Sequence, residues 1–214
     1  MRFDTWIMTC AERRPVLGAT LNSLEATGWP APEILIDETP LGVPTSIQRI
    51  AATYRRLIER AAQSTADFLL LCEDDAFFGR WFAENLRSWP VLQSPPDGHF
   101  YGSLYNGTVR ETNDRIVISR GHRFISVEPL SAWGALALVM TPKTARFFAD
   151  HWDEVDGPPD CKMPQLAARV TPIFYHDPSL VDHSLVPTTW FGASNRARDF
   201  DRDWRATEQQ ETEQ

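Results

Sequence analysis

Cysteine is scarce in this chain of 214 residues, with Cys10, Cys72 and Cys161 the only three. The number is odd and no two of them form a Cys-x-x-Cys pair. That argues against a disulfide framework and against a zinc site, and makes a reducing cytoplasm the expected compartment. Long apolar runs are absent too, and the opening MRFDTWIMTC matches neither a signal peptide nor a membrane anchor. Without a secretory route, the Asn106-Gly-Thr glycosylation pattern has no consequence. Basic charge falls short, with 21 Lys and Arg against 29 Asp and Glu and a net charge of -8. Such a balance withholds the broad basic face that binding to a phosphate backbone needs. Arg13, Arg14, Arg49, Arg55, Arg56 and Arg60 nevertheless gather early, which leaves room for a local basic groove.

The composition that remains is globular: 43% hydrophobic and 23% charged residues. The length suits one α/β domain with a sizeable core. We expect that domain to span residues 1–204. The final RATEQQETEQ, residues 205–214, has almost nothing apolar and is expected to be a disordered acidic tail.

Hydrophobic periodicity predicts strands over 4–10, 32–38 and 66–72, separated by helices over 16–28 and 47–61. The second helix is the clearest, with Ile50, Tyr54, Leu57, Ile58 and Ala61 on one face and arginines on the other. Gly28 is placed to end the first. This β-α-β-α-β order implies parallel strands, right-handed crossovers and ligands at the strands' C-terminal ends. Further on we expect a helix over 80–89, a strand over 98–106 and a hairpin over 115–129 turning at Arg120-Gly121. A buried strand over 133–140 follows, then a helix capped by Thr141 with Pro142 in its first position. A short helix over 161–169 and a last short strand complete the pattern.

The third strand runs FLLLCEDDAFF, ending on Glu73, Asp74 and Asp75. Adjacent like charges repel, and burying them costs several kcal/mol unless something positive compensates. If the strand's alternation continues, Glu73 and Asp75 share a side and Asp74 faces the other way. Two carboxylates at a strand's C-terminal mouth suit a hard divalent cation bridging substrate phosphates. The plainer alternative is that Asp74 or Asp75 caps a helix beginning near Ala76.

Taken in order, these pieces resemble the nucleotide-sugar-dependent glycosyltransferases of the GT-A fold. The pieces are the first strand with Arg-Pro and LGATLNSLEATG, a second strand ending in Asp37, LLLCEDDAFF as a DxD-type motif, WGALALVMTPKTARFF and PSLVDHS. The resemblance covers roughly residues 5 to 192. EDD with a late PSLVDH is similar to the branch of lipooligosaccharide-type galactosyltransferases and N-acetylglucosaminyltransferase IV-like enzymes. It implies a single Rossmann-like domain with a central mixed sheet, and a soluble, metal-dependent transferase. The donor would be a nucleotide sugar, a UDP-sugar first of all, and the metal Mn²⁺ or Mg²⁺. Thr9 and Arg14 would line the nucleotide pocket, Asp37 would meet the uracil or ribose, and Glu73 would sit near the ribose, with Asp74 in the same donor-binding group. Asp75 would ligate the metal, and His183 would approach metal or diphosphate. Asp160 would stand where inverting members place their catalytic base, although it also reads as a cap of the helix from Cys161. Trp133 and Trp190 could each stack on a sugar ring or belong to the core. The chain departs from the pattern in having Glu in the motif's first place and Ser-Leu-Val-Pro after His183.

Two other classes answer to the same acids. One is a two-metal phosphoryl-transfer enzyme or nuclease, which wants further converging carboxylates. The other is a GT-A-like domain that binds nucleotide or glycan without turnover. A nucleotidyltransferase would want a glycine-rich phosphate loop after the first strand, and TCAERRP has no glycine. The acceptor (glycan, protein, small molecule or modified nucleic-acid base) is open.

Overall fold

The computed structural model describes residues 1–37, 46–93, 95–107, 115–119, 122–127, 132, 134–184 and 196–206. The strands are β1 (Phe3–Cys10), β2 (Glu33–Asp37), β3 (Phe68–Glu73), β4 (Ala76–Phe78), β5 (Tyr101–Ser103), β6 (Arg115–Ser119), β7 (His122–Val127), β8 (Ala137–Met140), β9 (Ile173–Asp177) and β10 (Val181–His183). The helices are α1 (Arg14–Glu25), α2 (Ser46–Ala61), α3 (Phe82–Ser88), α4 (Pro142–His151) and α5 (Pro159–Ala167). Among the described residues, eight strands form one sheet in the order β2-β1-β3-β8-β5-β9-β7-β6, and β10 pairs with β4 in a second, two-stranded sheet.

β1 runs parallel to both β2 and β3, as the alternation of strands and helices implies. The antiparallel β8 lies between β3 and β5, and β5 pairs in parallel with β9, so the large sheet is mixed. β6 and β7 form the expected hairpin, closing on Ser119 opposite His122. Residues 120–121 lie outside the described residues, as do Trp133 and Trp190. Two expected strands are shorter than read: 98–106 yields only Tyr101–Ser103, and 133–140 only Ala137–Met140.

Helices cover both faces of the sheet. On one face, Tyr54, Leu57 and Ile58 of α2, Phe148 of α4 and Met163 and Leu166 of α5 pack over Met8, Leu71 and Leu138. On the other, α1, α3 and the small sheet cover Ile7, Leu70 and Val139, with the rings of Trp29, Phe82, Trp89 and Phe100 filling the layer. The apolar run of β3 follows from this cover: residues 68 to 72 are all buried, so alternation with polar residues would leave groups unsolvated. Helix ends obey local chemistry. Thr141 accepts a hydrogen bond from the Thr144 amide ahead of Pro142, and the chain leaves α1 through Gly28 at φ 75, in the left-handed region.

The packing runs slightly past residue 204. Arg205 pairs with the Glu84 carboxylate at 3.0 Å through both Nε and Nη2, and the Ala206 amide donates to Asn85 Oδ1. Residues 207–214 lie outside the described residues. Among the described residues no helix is long and apolar enough to cross a membrane.

Gly102, in the middle of the sheet, tests this packing. A Cβ there would come within 2.8 Å of the Trp89 ring and 3.0 Å of Phe100, both fully buried. Gly102→Ala is therefore expected to destabilise the protein by about 1–3 kcal/mol in urea unfolding. An unchanged midpoint would show that this aromatic layer has slack the structure does not suggest.

Candidate functional site

β3 delivers three acids to one point, and each is held differently. Glu73, the strand's last residue, faces α2 and accepts a hydrogen bond from the Tyr54 hydroxyl at 2.8 Å. That hydroxyl is also 3.1 Å from the Ala135 carbonyl oxygen, so its one proton serves two acceptors. The chain then turns at Asp74 and Asp75 and re-enters extended structure at Ala76. The turn removes both simple expectations for the acids. No helix starts at Ala76 for them to cap, and the strand's alternation stops at Glu73. Asp74 and Asp75 share a partner instead, the Arg13 guanidinium.

Arg13 ends a short 3₁₀ turn, Ala11–Arg13, between β1 and α1. Its Nε donates to Asp74 Oδ1 at 2.7 Å and its Nη2 to Asp75 Oδ2 at 3.0 Å. Thr9, one residue before the end of β1, donates its hydroxyl to Asp74 Oδ2 at 2.5 Å. Thr20 of α1 donates to the Asp74 carbonyl, also at 2.5 Å. Asp74 is thus fully occupied. Asp75 is not, since its Oδ1 is buried without a hydrogen-bond partner among the described residues.

The small sheet brings the C-terminal segment against this turn. β10 runs antiparallel to β4 with His183 opposite Ala76, and the Ser184 amide donates to the Asp75 carbonyl at 2.7 Å. His183 Nδ1 lies 3.6 Å from Asp75 Oδ2, an ion-pair distance too long for a hydrogen bond, and Nδ1 is otherwise unpartnered and buried. The Tyr105 ring stands edge-on to His183, with centroids 5.0 Å apart.

The electrostatics follow the geometry. Burial, then the Asp75 charge, pushes Glu73 from its ordinary 4.5 up to about 7. Burial also raises Asp74, against the pull of Thr9 and Arg13. At Asp75 burial is outweighed by His183 and Arg13, and its carboxyl falls below the usual range. Burial disfavours the charged imidazole of His183, but Asp75 and then Glu73 raise it above its ordinary value.

Thr9, Glu73, Asp74, Asp75 and His183 therefore meet in one cluster. Asp37 lies next to it, since it ends β2 opposite Cys10 of β1. Its buried carboxylate is held by Arg49, with Nη2 3.0 Å from Oδ2, and by Arg56, with Nη2 3.2 Å from Oδ1. Arg14 is exposed at the start of α1, and its neighbour Arg13 reaches the acids. Asp160 is half-buried in the first turn of α5. The N-cap there is Pro158, so the helix begins two residues earlier than the expected start at Cys161. Burial raises the Asp160 carboxyl, against amides of its own turn. Its helix packs on the same face of the sheet as α2, and its charge helps raise the Tyr54 and Tyr101 hydroxyls.

Sequence reasoning missed Arg13, Tyr54 and Tyr105. Tyr54 sat on the apolar stripe of α2, and its hydroxyl was the only signal of a second role. Arg13 and Arg14 were adjacent, and choosing between them required the register of a turn that periodicity does not give.

No protein-family model matches the chain, and a comparison with curated proteins finds no match. Solved structures do resemble it. One is S. aureus TarS, residues 1-349, at TM-score 0.52 and 12% identity over 86% of this chain; the chain spans only 60% of that protein's length. Another is A197 from STIV, at TM-score 0.50 and 10% identity over 87% of each chain. Identities this low speak for fold alone. The fold is α/β with a central mixed sheet, a GT-A fold, in agreement with the fold that the sequence resemblance implies.

The acid cluster has a measurable cost. Folded, Glu73 keeps its proton up to about pH 7; unfolded, it loses it near 4.5. Between those values the folded state binds more protons, so stability falls as pH rises, by up to about 3 kcal/mol. Glu73→Gln keeps the acceptor for Tyr54 and should remove that fall. The metal-free variant is expected to outlast wild type in urea at pH 8 and to match it at pH 4. A variant weaker than wild type at pH 8 would contradict this account of the cluster.

Proposed function

We propose that this protein is a metal-dependent glycosyltransferase that moves a sugar from a nucleotide diphosphate donor, a UDP-sugar, to an acceptor hydroxyl with inversion. One observation carries the reading: Asp75 Oδ1 and His183 Nδ1, on adjoining residues of the acid cluster, are buried and have no hydrogen-bond partner among the described residues. They are the acceptors that a divalent cation would satisfy, at the C-terminal end of a central strand in a GT-A fold. The carboxylate oxygen fits Mn²⁺ or Mg²⁺, and the softer imidazole nitrogen favours Mn²⁺ of the two. When bound, the ion would offset negative charge on the departing nucleotide diphosphate.

Among the described residues no three His, Cys, Asp or Glu are grouped to hold a metal. Two protein ligands would leave most of the ion's coordination to water and phosphate oxygens, which favours metal and nucleotide binding together over a metal held by protein alone. The same shortage disfavours the two-metal alternative, which needs several converging carboxylates. The triplet Glu73-Asp74-Asp75 with the late Pro178-Ser-Leu-Val-Asp-His supports kinship with the branch of lipooligosaccharide-type galactosyltransferases and N-acetylglucosaminyltransferase IV-like enzymes.

The chain's own residues divide the work. Arg13 fixes Asp74 and one oxygen of Asp75, leaving the other oxygen free. Tyr54 orients Glu73 toward the donor's ribose. Asp37 holds Arg49 and Arg56 at the end of β2, beside the region the base and ribose would occupy. Asp160, with its carboxyl raised by burial, takes the acceptor proton as general base.

Two substitutions test this division. Asp75→Asn is expected to abolish the thermal shift that UDP gives in the presence of Mn²⁺, and to lower the ligand-free melting temperature because Arg13 and His183 lose the charge they hold. An undiminished shift would remove Asp75 from the metal site. Asp160→Asn is expected to retain that shift and lose sugar transfer by a factor of about 10²–10⁴, because a base acts on the acceptor in the transition state. Transfer at the wild-type rate would reduce Asp160 to a first-turn helix acid.

A further inference from the structure

Asp75 and His183 do not exhaust the unsatisfied polar groups around the cluster. Asn106 is 4% exposed, and among the described residues neither its Nδ2 nor its Oδ1 has a hydrogen-bond partner. Ser184 Oγ, next to His183, is also buried and unpartnered. A fully buried carboxamide with nothing to bond costs several kcal/mol, and natural proteins rarely leave one so.

The fold sets Asn106 beside the cluster. Residues 104 to 106 continue β5 alongside the segment that leads into β10. The Leu104 carbonyl accepts from the Leu180 and Val181 amides, and the Asn106 amide donates to Ser179 Oγ at 2.8 Å. One residue before Asn106 is Tyr105, whose ring stands against His183. That ring is held between two glycines. A Cβ on Gly107 would collide with the Tyr105 hydroxyl, and one on Gly134 would lie 3.3 Å from the ring. Asn106 is therefore joined to the cluster on two sides, in sequence through Tyr105, which stands against His183, and by a hydrogen bond through Ser179 of the segment that leads to His183.

The chemistry of the amide narrows its ligand. Phosphate oxygens only accept hydrogen bonds, so a phosphate would satisfy Nδ2 and leave Oδ1 unpaired. A metal ion would do the reverse. Hydroxyl groups donate and accept, so a neighbouring pair of hydroxyls on a pyranose satisfies both atoms at once. We infer that the Asn106 carboxamide recognises hydroxyls of the transferred sugar and is a specificity-determining residue of the donor site. This rests on the glycosyltransferase reading above. It also implies that Asn106 is kept at the expense of stability, since no hydrogen bond among the described residues repays the burial of its side chain.

The test compares wild type with Asn106→Leu, a substitution of nearly the same shape. Calorimetry in Mn²⁺ measures UDP, UDP-glucose, UDP-galactose and UDP-N-acetylglucosamine, and urea unfolding measures the ligand-free proteins. The variant is expected to bind UDP within about twofold of wild type, to bind the preferred nucleotide sugar about tenfold more weakly, and to lose the preference between glucose and its galactose epimer. It is also expected to unfold at the same or a higher urea concentration. If UDP and the nucleotide sugars weaken together, or neither weakens, Asn106 does not read the sugar. A lower unfolding midpoint with unchanged sugar preference would make Asn106 a structural residue. A wild type that binds none of these nucleotides fails at the earlier step, and the glycosyltransferase reading falls with the inference.

Discussion

One guanidinium stands against three carboxylates at the end of the central strand, and the structure around it manages that imbalance. Arg13 bonds Asp74 and Asp75, while Glu73 takes the tyrosine hydroxyl of α2. A buried like-charge cluster is tolerable only if each charge is bonded, protonated or balanced. Each route is taken here: Asp74 is bonded on both oxygens, Glu73 holds its proton to about pH 7, and Asp75 keeps its charge beside His183 and Arg13. The arrangement depends on distant parts of the chain. Arg13 arrives from the β1–α1 turn, Tyr54 from α2, and His183 from β10, which reaches the acids only because β4 pairs with it.

Unsatisfied atoms mark where the management stops. Asp75 Oδ1, His183 Nδ1, Ser184 Oγ and the Asn106 amide belong to segments that meet at the end of β3. The indole nitrogens of Trp6, Trp89 and Trp204 are also unpartnered, but they belong to packing layers within and beside the core. An indole loses one hydrogen bond and keeps a large apolar contact; a carboxylate, an imidazole and a carboxamide have no such return. Polar residues left unpaired in a folded protein point to a ligand that supplies the missing partners, and their mixture of acceptors and donors asks for both a cation and hydroxyl groups.

Much of this was legible in the sequence because it follows from periodicity. The strands and helices of the first 73 residues, the Thr141–Pro142 helix start and the 115–129 hairpin rest on alternation, capping and turn chemistry, which act locally. The acids at 73–75 stood out because nothing local explains them. Their partners did not stand out. Asp74 and Asp75 were read through an alternation that a two-residue turn abolishes, and only the turn lets one arginine hold both. Tyr54 looked like a core residue because its ring is one. Asn106 drew notice only as part of a glycosylation pattern, since burial without a partner is a property of the fold and not of any short motif.

The central claim is that the acid cluster is completed by a cation and a nucleotide diphosphate together. It is tested most directly by titrating the wild-type protein with Mn²⁺ and following free ion by electron paramagnetic resonance, with and without UDP. Two protein ligands predict weak binding of Mn²⁺ alone and binding at least about tenfold tighter when UDP is present, with the reciprocal effect of Mn²⁺ on UDP. Mn²⁺ affinity indifferent to UDP, or no bound Mn²⁺ in either case, would contradict it.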